Sequence, residues 1–254
     1  MCDKIDSLIH LRPLSRITEL AKEDPGRKFL SIAHLLTPEA MHEAFLMLRR
    51  DASAGVDQVT YRDYEKQAEQ KIQQLHERLK NKTYRALPLR RIYIPKEDGR
   101  QRPISIPALE DKIAQKAVVE LLNAIYEQDF LDCSYGFRPG RGAQQALDEV
   151  GRAICRESIS CVLELDITSY FDSIVREQLM EMIERRIGDA SILRLIRKWI
   201  NTGVIDDGRL QPYTLKALAE RRENPPISQE RFDTVLAKIM LSFNQSSPWQ
   251  LGPL

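Results

Sequence analysis

The sequence predicts an α+β fold in which helices predominate over a few strands. Apolar residues recur at helical spacing over much of the chain, and alternating isoleucines flank an Asp-Gly turn within residues 90–107. An apolar, strand-like run over residues 161–165, interrupted only by Glu164, ends on a carboxylate. With 254 residues, of which 43% are hydrophobic and 30% charged, the chain is long enough for one large globular domain or two small ones.

Helix-start signals place the first elements. Residues 1–30 lack strong periodicity and contain prolines, which predicts a short helix followed by a connector. Thr37 precedes Pro38, the order typical of an N-cap and a first helical residue, so a helix is expected from there to about residue 50. Thr60 is predicted to cap a second helix that continues to about residue 81.

Residues 90–107 have the pattern of a β-hairpin. Ile92 and Ile94 alternate on one arm and Ile104 and Ile106 on the other, with Asp98-Gly99 at the turn. Prolines within and after the arms predict edge strands or strand ends, because proline donates no ladder hydrogen bond.

The second half of the chain is predicted to be mainly helical. Helices are expected at residues 109–128, 143–157, 176–187 and 190–201. A polar, glycine-bearing loop, Ser134–Gly142, separates the first two, and the strand 161–166 follows the second.

Positive charge is concentrated near the hairpin although the net charge of the chain is only +1. Between Arg78 and Ile104 nine basic residues face two acids, so this segment carries +7. Tyr84 and Tyr93 are interleaved with the charges, which favours binding of a polyanion. The alternative is a solvated, charged edge strand.

Several classes of protein are not indicated. No run of 18 apolar residues predicts a membrane span, and the N-terminus lacks the apolar core of a signal peptide. The four cysteines show no CxxC spacing and the four histidines are scattered. A reduced, cytoplasmic chain without a zinc site is therefore predicted.

Asp166 stands at the end of the predicted apolar strand, where a carboxylate is poorly solvated. Binding of a divalent cation is one physical reason for a carboxylate in such a position. Phe171 and Asp172 follow five and six residues later.

Four blocks of this chain resemble the reverse transcriptase domain of group II intron-encoded, retron-type proteins. The blocks are Ala54–Asp57, Arg90–Pro107, Ser134–Arg141 and Leu163–Asp172. Their order and spacing make the resemblance specific, and it covers about residues 30–210.

The resemblance implies the fingers and part of the palm of a right-hand polymerase. Residues 31–160 correspond to fingers that include the basic hairpin, and residues 161–210 to an incomplete palm sheet. Residues 1–30 are an N-terminal extension, and residues 211–254 a divergent tail that is expected to be partly disordered.

The resemblance also implies roles for residues of the palm. Asp166 matches the first palm carboxylate, and the main-chain carbonyl of Ile167 is expected to share its Mg²⁺ ion in a two-metal site. Phe171 matches the ring that lies under the sugar and excludes a 2′-hydroxyl, while the alternative is an ordinary core ring. Asp172 is expected to be structural.

The fingers carry the predicted cationic contacts. Lys96 and Arg102 match the residues that hold the incoming triphosphate. The residues expected to contact nucleic acid are Arg90, Arg91, Arg100, Arg138 and Arg141. The alternatives are hairpin charges that serve solubility and, for the loop that holds Arg138, a well-packed turn.

The sequence departs from the family pattern after the first palm block. A Tyr-x-Asp-Asp block, which supplies the second set of catalytic carboxylates, does not occur. Asp206 and Asp207 are adjacent acids, but they lack the preceding aromatic residue and are predicted to form a surface turn with Gly208. Residues 234–241 resemble the helix that follows the family's glycine-rich motif, without the motif.

These features predict an RNA-directed DNA polymerase of group II intron type, part of a mobile element, that is truncated before its second catalytic block and inactive alone. The partners implied are structured intron RNA, an RNA template with a DNA primer, and deoxynucleotides if the site is complete. No membrane partner is expected. The unpaired edge of the palm sheet predicts self-association or covering by C-terminal helices.

Two other functions remain open. A non-catalytic, maturase-like module could bind intron RNA through the N-terminal helices and the hairpin. A transposase or nuclease with a ribonuclease-H-like core could use Asp166 as its first acid, but helices rather than a hairpin are predicted after Asp172.

Overall fold

The computed structural model describes residues 14–95, 99, 101–156, 161, 163–164 and 174–211. Within these residues the fold is α+β and mostly helical, which confirms the predicted class. The helices are α1 (14–23), α2 (Pro38–Leu46), α3 (Tyr61–Glu65), α4 (Ala68–Lys80), α5 (Leu109–Tyr126), α6 (Ala143–Arg156), α7 (Arg176–Arg186) and α8 (Ala190–Ile200), with a 3₁₀ turn at Ala33–Leu35. The strands are β1 (Leu89–Pro95), β2 (Gln101–Ile106), β3 (Val204–Asp206) and β4 (Arg209–Gln211).

The predicted helix starts are confirmed. The Thr37 hydroxyl accepts a hydrogen bond from the Ala40 N–H at 3.2 Å, and Pro38 is the first residue of α2. The Thr60 hydroxyl accepts one from the Asp63 N–H, also at 3.2 Å. Each hydroxyl satisfies an N–H group that has no partner within its helix.

The predicted helix from residue 60 to about residue 81 is wrong in one respect, because it is two helices. α3 ends at Glu65 and α4 begins at Ala68, since Gln67 between them leaves the helical region at φ −139° and ψ 30°. The buried residues on either side keep helical spacing, so the apolar pattern contains no signal for the break. Helix α2, which was expected to continue to about residue 50, ends earlier, at Leu46.

The hairpin is confirmed at the predicted position. β1 and β2 are antiparallel, with Ile92 opposite Ile104 and Arg90 opposite Ile106. Gly99 lies in the connection at φ +79°, a left-handed conformation that glycine adopts without strain. β2 is an edge strand of a four-stranded sheet with the order β2-β1-β3-β4.

The turn predicted at residues 206–208 is also confirmed, but its flanking strands were not predicted. Asp207 and Gly208 both have positive φ, +46° and +73°, as the two central residues of a tight hairpin turn require. β3 then pairs in parallel with β1, Leu89 lying opposite Val204. Local sequence patterns contain no information on this pairing, because its partners are more than 100 residues apart.

Helix α5 is the centre of the core. Fourteen of its eighteen residues are buried, including the polar residues Asp111, Lys112, Gln115 and Lys116. α2 packs against both α5 and α4. The ring of Phe45 from α2 stacks on Tyr61 at 4.3 Å between centroids, which joins α3 to the same core.

The N-terminal connector is fastened to the start of α8 by one carboxylate. Oδ1 of Asp189 accepts hydrogen bonds from Ser191 and Ile192 as the N-cap of α8, and Oδ2 accepts them from Ile32 and Ala33 at 2.8 Å each. Burial alone raises the pKa of this carboxyl, but the four N–H donors outweigh burial and the pKa lies below its ordinary value.

The predicted buried strand at residues 161–166 is not observed where the structure describes that segment. Cys161, Leu163 and Glu164 lie outside any strand and are exposed, Leu163 by 77%. A strand needs a hydrogen-bonded neighbour, and the sheet formed by the described residues ends at β2 and β4. Its last residue, Asp166, lies outside the described residues.

None of the helices in the described part of the chain has the length and apolar character needed to cross a membrane.

Candidate nucleic-acid interface

The β1–β2 hairpin has two distinct faces. Because side chains alternate along a strand, Arg102 lies on the same face as its cross-strand partner Ile94 and as Ile104. Arg91 and Tyr93 lie on the opposite face. Arg102 is exposed, and its guanidinium can therefore reach a bound phosphate from the distal part of the hairpin.

Arg90 anchors the base of the hairpin. Its Nε and one terminal nitrogen donate to the main-chain oxygen of Ala54 at 3.0 and 2.6 Å. The next residue, Gly55, lies so close to the start of α5 that a Cβ would sit 2.5 Å from the Cα of Ala108. The loop at residues 53–57 thus packs against the hairpin base. Arg90 therefore forms a structural hydrogen bond in addition to its predicted contact with nucleic acid.

Lys112 of α5 forms a hydrogen bond with the same loop. Its Nζ donates to the main-chain oxygen of Ser53 at 2.7 Å. Burial lowers the pKa of Lys112 to about 8, against the opposing effect of the nearby Asp57 carboxylate. Sequence patterns did not identify Lys112, because its position within a helix of apolar spacing gives no sign that its amine is buried.

A buried polar network centred on Asp111 joins α5 and α8 to the segment that precedes β1. Its carboxylate accepts hydrogen bonds from the Tyr84 hydroxyl and from the Leu87 N–H, the latter at 3.0 Å. The Trp199 indole of α8 donates to the Tyr84 hydroxyl at 2.9 Å. Tyr84 is only 2% exposed, so the prediction that its ring belongs to a polyanion-binding surface is wrong.

Burial raises the pKa of Asp111 to about 6, although both hydrogen bonds act in the opposite direction. A carboxyl whose pKa is raised on folding makes its full contribution to stability below its unfolded pKa, which is 3.8 here. This contribution is lost as the pH rises through the folded-state pKa of about 6. The difference of about two pH units corresponds to about 3 kcal/mol.

The asparagine of Asp111→Asn does not titrate. As the pH rises from 4 to 7, the free energy of unfolding of this variant is therefore expected to increase by about 2–3 kcal/mol relative to that of the unmodified protein. Urea unfolding at a series of pH values measures this difference. Glu110→Gln is the matched control, because this neighbouring carboxyl is partly exposed and pairs with Arg78. Parallel stability curves for Asp111→Asn and the unmodified protein would show that the carboxyl does not titrate in this range.

On the other face, Tyr93 joins the hairpin to β3. Its hydroxyl donates to Oδ2 of Asp206 at 2.7 Å, and this hydrogen bond raises the pKa of Tyr93. Arg91 lies half-buried on the same face, and its Nε is buried with no hydrogen-bond partner among the described residues. Asp206 thus links β3 to the hairpin through a hydrogen bond, so one of its carboxylate oxygens already has a donor.

Arg138 is the best-satisfied cation in the Ser134–Gly142 loop. It is 7% exposed and donates to the carboxylate of Glu127 and to the main-chain oxygens of Leu131 and Ser134, at 2.7–3.1 Å. Its guanidinium also lies 5.0 Å from the centre of the Phe130 ring. These contacts favour the alternative prediction of a well-packed turn, because a side chain bound in this way has little surface for nucleic acid.

The outer part of the loop is more open. Phe137 is 46% exposed, and its φ of +64° is a strained conformation for a residue other than glycine. Arg141 pairs with Asp132 at 3.0 Å and lies over the ring of Tyr135. Phe137 is therefore exposed enough for stacking on a single strand, while Arg141 is only partly exposed and its charge is paired.

The remaining predicted site residues lie outside the described residues. They are Lys96, Arg100, Asp166, Ile167 and Phe171. Within the ranges that the structure does describe, no group of three or more His, Cys, Asp or Glu side chains forms a metal site. The described residues therefore include the contacts that position the hairpin and the Ser134–Gly142 loop, while the predicted metal ligands are known from sequence alone.

A comparison with protein families gives one match. The family described as reverse transcriptase (RNA-dependent DNA polymerase) matches residues 94–222, about half of the chain. The matched stretch includes most of the hairpin, the Ser134–Gly142 loop and the segment with Asp166.

Two curated relatives are similar to most of this chain. Protein YkfC of Escherichia coli (strain K12) is 36% identical over 200 residues, which are 76% of this chain and 52% of that protein. Group II intron-encoded protein LtrA of Lactococcus lactis subsp. cremoris is 29% identical over 250 residues, 94% of this chain and 41% of that protein. The chain thus spans about half the length of these relatives or less.

The match to LtrA covers all but about 6% of this chain, which is about 15 residues. The matched part therefore extends well beyond Gln211, into the segment predicted to be divergent. Among solved structures, one titled "Partial Cas6-RT-Cas1--Cas2 complex" superposes with a TM-score of 0.44 at 22% identity, covering 81% of this chain and 33% of that chain.

Proposed function

The chain belongs to the reverse transcriptase (RNA-dependent DNA polymerase) family, and from this premise we propose that it forms the fingers and part of the palm of a group II intron-type enzyme that copies RNA into DNA. The observation that carries the proposal is the β1–β2 hairpin, which is basic, exposed at Arg102 and anchored at its base. Such a hairpin suits the capture of a polyphosphate or a nucleic-acid backbone.

The anchoring matters because a phosphate-binding side chain works only if its position is held. Arg90 ties the hairpin base to Ala54, and Tyr93 ties its middle to Asp206. Rigid elements place functional groups more accurately than loops do. We therefore assign Lys96 and Arg102 to phosphate groups, those of the incoming triphosphate and those of a bound RNA, and Arg91, Arg100 and Arg141 to the nucleic acid.

The proposed metal ligands are the Asp166 carboxylate and the main-chain carbonyl of Ile167. Carboxylate and carbonyl oxygens are the ligands that Mg²⁺ prefers, so the donor set fits this ion. When bound, the metal supplies charge stabilisation at the oxygens that exchange phosphate. Phe171 is proposed to exclude a 2′-hydroxyl from the sugar position.

Removal of two hairpin cations tests the proposed contact with nucleic acid. Lys96→Ala combined with Arg102→Ala is expected to weaken binding of a single-stranded RNA roughly tenfold or more at low salt. The plot of log affinity against log salt should become shallower by about 1–1.5, since each phosphate contact to a single strand contributes about 0.7. Fluorescence anisotropy over a salt series measures both quantities.

The matched control removes two exposed cations elsewhere, Arg62→Ala with Arg185→Ala. This control keeps the same net charge as the hairpin variant and should retain more affinity. Equal losses in the two variants would mean that RNA senses only the total charge, and the hairpin would then not be the binding element.

A further inference from the structure

Helix α6 exposes an apolar stripe. Leu147, Val150 and Ile154 are 66%, 52% and 51% exposed, and none of the residues of α6 is buried. A helix of 14 residues is marginal in water without packing of its apolar face, so an occupant of this stripe is expected.

The stripe has the shape of a seam for another helix. Ala143, Leu147, Val150 and Ile154 follow one another at intervals of four, three and four residues. The positions beside the seam hold Ala146, Gly151 and Ala153, whose small side chains allow a second backbone to approach closely.

One segment later in the chain carries the complementary pattern. Between residues 232 and 243 the apolar residues recur at i, i+3, i+4, i+7, i+8 and i+11, the spacing of a single helical face. They are Phe232, Val235, Leu236, Ile239, Met240 and Phe243, while the apolar residues Ala237 and Leu241 fall off this spacing. This segment lies outside the described residues.

We propose that residues 232–243 form a helix that packs antiparallel on the apolar stripe of α6. Twenty residues connect Gln211 to Phe232, enough to span up to about 66 Å, so the chain can reach α6 from the end of β4. The match to LtrA continues past Gln211, so residues of this segment are similar to that protein as the sheet residues are.

Charge supports the antiparallel direction. The first half of α6 carries Asp148 and Glu149, and its last half carries Arg152 and Arg156. The segment carries Asp233 near its start and Lys238 in its second half. Antiparallel packing places Asp233 near the basic end of α6 and Lys238 near the acidic end, whereas parallel packing places like charges together.

Hydrogen exchange of the full chain tests the proposal. The backbone amides of α6 should be protected, and Leu236→Asp should speed their exchange roughly tenfold or more by removing the cover. Leu241→Asp is the matched control, because the same substitution then falls on the opposite face of the proposed helix. The amides of α5 should be unaffected in both variants, which shows that the core remains folded.

Three outcomes would overturn the proposal. The α6 amides could exchange rapidly in the unmodified chain, or the two leucine variants could behave alike. Protection of α6 that rises with protein concentration, with a matching rise in mass, would assign the stripe to a second copy of the chain.

Discussion

A purified protein of these 254 residues is expected to extend no DNA primer on an RNA template. Two Mg²⁺ ions held about 3.5–4 Å apart need carboxylates from more than one segment of a polymerase. Asp166 is the carboxylate that the first palm block is proposed to supply, and the chain has no Tyr-x-Asp-Asp block to supply the others. Without them the second ion lacks ligands, and the charge that develops during nucleotide transfer is not stabilised.

The adjacent acids Asp206 and Asp207 do not replace that block. Asp206 accepts a hydrogen bond from Tyr93, and Asp207 is a turn residue with positive φ. Both belong to the β3–β4 hairpin, and β3 pairs beside β1. Their geometry serves the sheet, so a metal-dependent role is not expected of them.

Primer extension with Mg²⁺ or Mn²⁺ measures this prediction, with an active reverse transcriptase as a positive control for the template. Asp166→Asn and the pair Asp206→Asn with Asp207→Asn show which carboxylates matter if product appears. Metal-dependent product that disappears with Asp166→Asn would contradict the prediction, because it would mean that these residues already form a complete catalytic site.

Arg186→Ala is expected to destabilise the protein by about 3–5 kcal/mol, the largest single-residue effect on stability predicted here. The Arg186 guanidinium is 6% exposed and lies inside the turn between α1 and the connector. One terminal nitrogen donates to the main-chain oxygens of Asp24, Pro25 and Arg27 at 2.6–3.1 Å.

The carboxylate of Asp129 makes this site more sensitive. It lies 2.9 Å from Nε of Arg186 and is itself mostly buried, with 17% of its side chain exposed. Removal of the guanidinium takes the ion-pair partner from the mostly buried Asp129 carboxylate and the shared donor from the carbonyl groups of the turn, and each loss carries a cost. The N-terminal segment then keeps the backbone hydrogen bonds of Phe29 but loses its side-chain attachment to Arg186.

Chemical denaturation of Arg186→Ala beside Arg185→Ala measures the effect. The neighbouring Arg185 is exposed, so its removal should change the free energy of unfolding by less than about 0.5 kcal/mol. A loss of under about 1 kcal/mol for Arg186→Ala would show that water replaces the guanidinium and that the site is not closed.

Local signals in the sequence predicted the elements that depend on local chemistry. Thr37 and Thr60 mark helix starts because a hydroxyl at the N-cap satisfies a free N–H group. The Asp-Gly turns at residues 98–99 and 207–208 were predicted because glycine tolerates positive φ. Both kinds of signal act over a few residues and need no tertiary partner.

Features set by distant partners could not be predicted. The pairing of β1 with β3 joins segments more than 100 residues apart, and two strands of three residues have too little pattern to be recognised. The site shows the same limit, since Arg138 and Tyr84 have the sequence context of binding residues and only the packed core reveals that they are buried. Lys112 and Asp111 were missed for the converse reason, because their helix has an apolar pattern.

In the proposed enzyme, Asp166 faces the cations of the β1–β2 hairpin across one cleft. Nuclear magnetic resonance of the protein with a Mn²⁺–deoxynucleoside triphosphate complex tests this arrangement directly, because the paramagnetic ion broadens nearby amide signals. We predict that the broadening is strongest at Arg102 and its neighbours in the hairpin and is lost in Asp166→Asn. Broadening that spares the hairpin, or that persists without the Asp166 carboxylate, would contradict the arrangement.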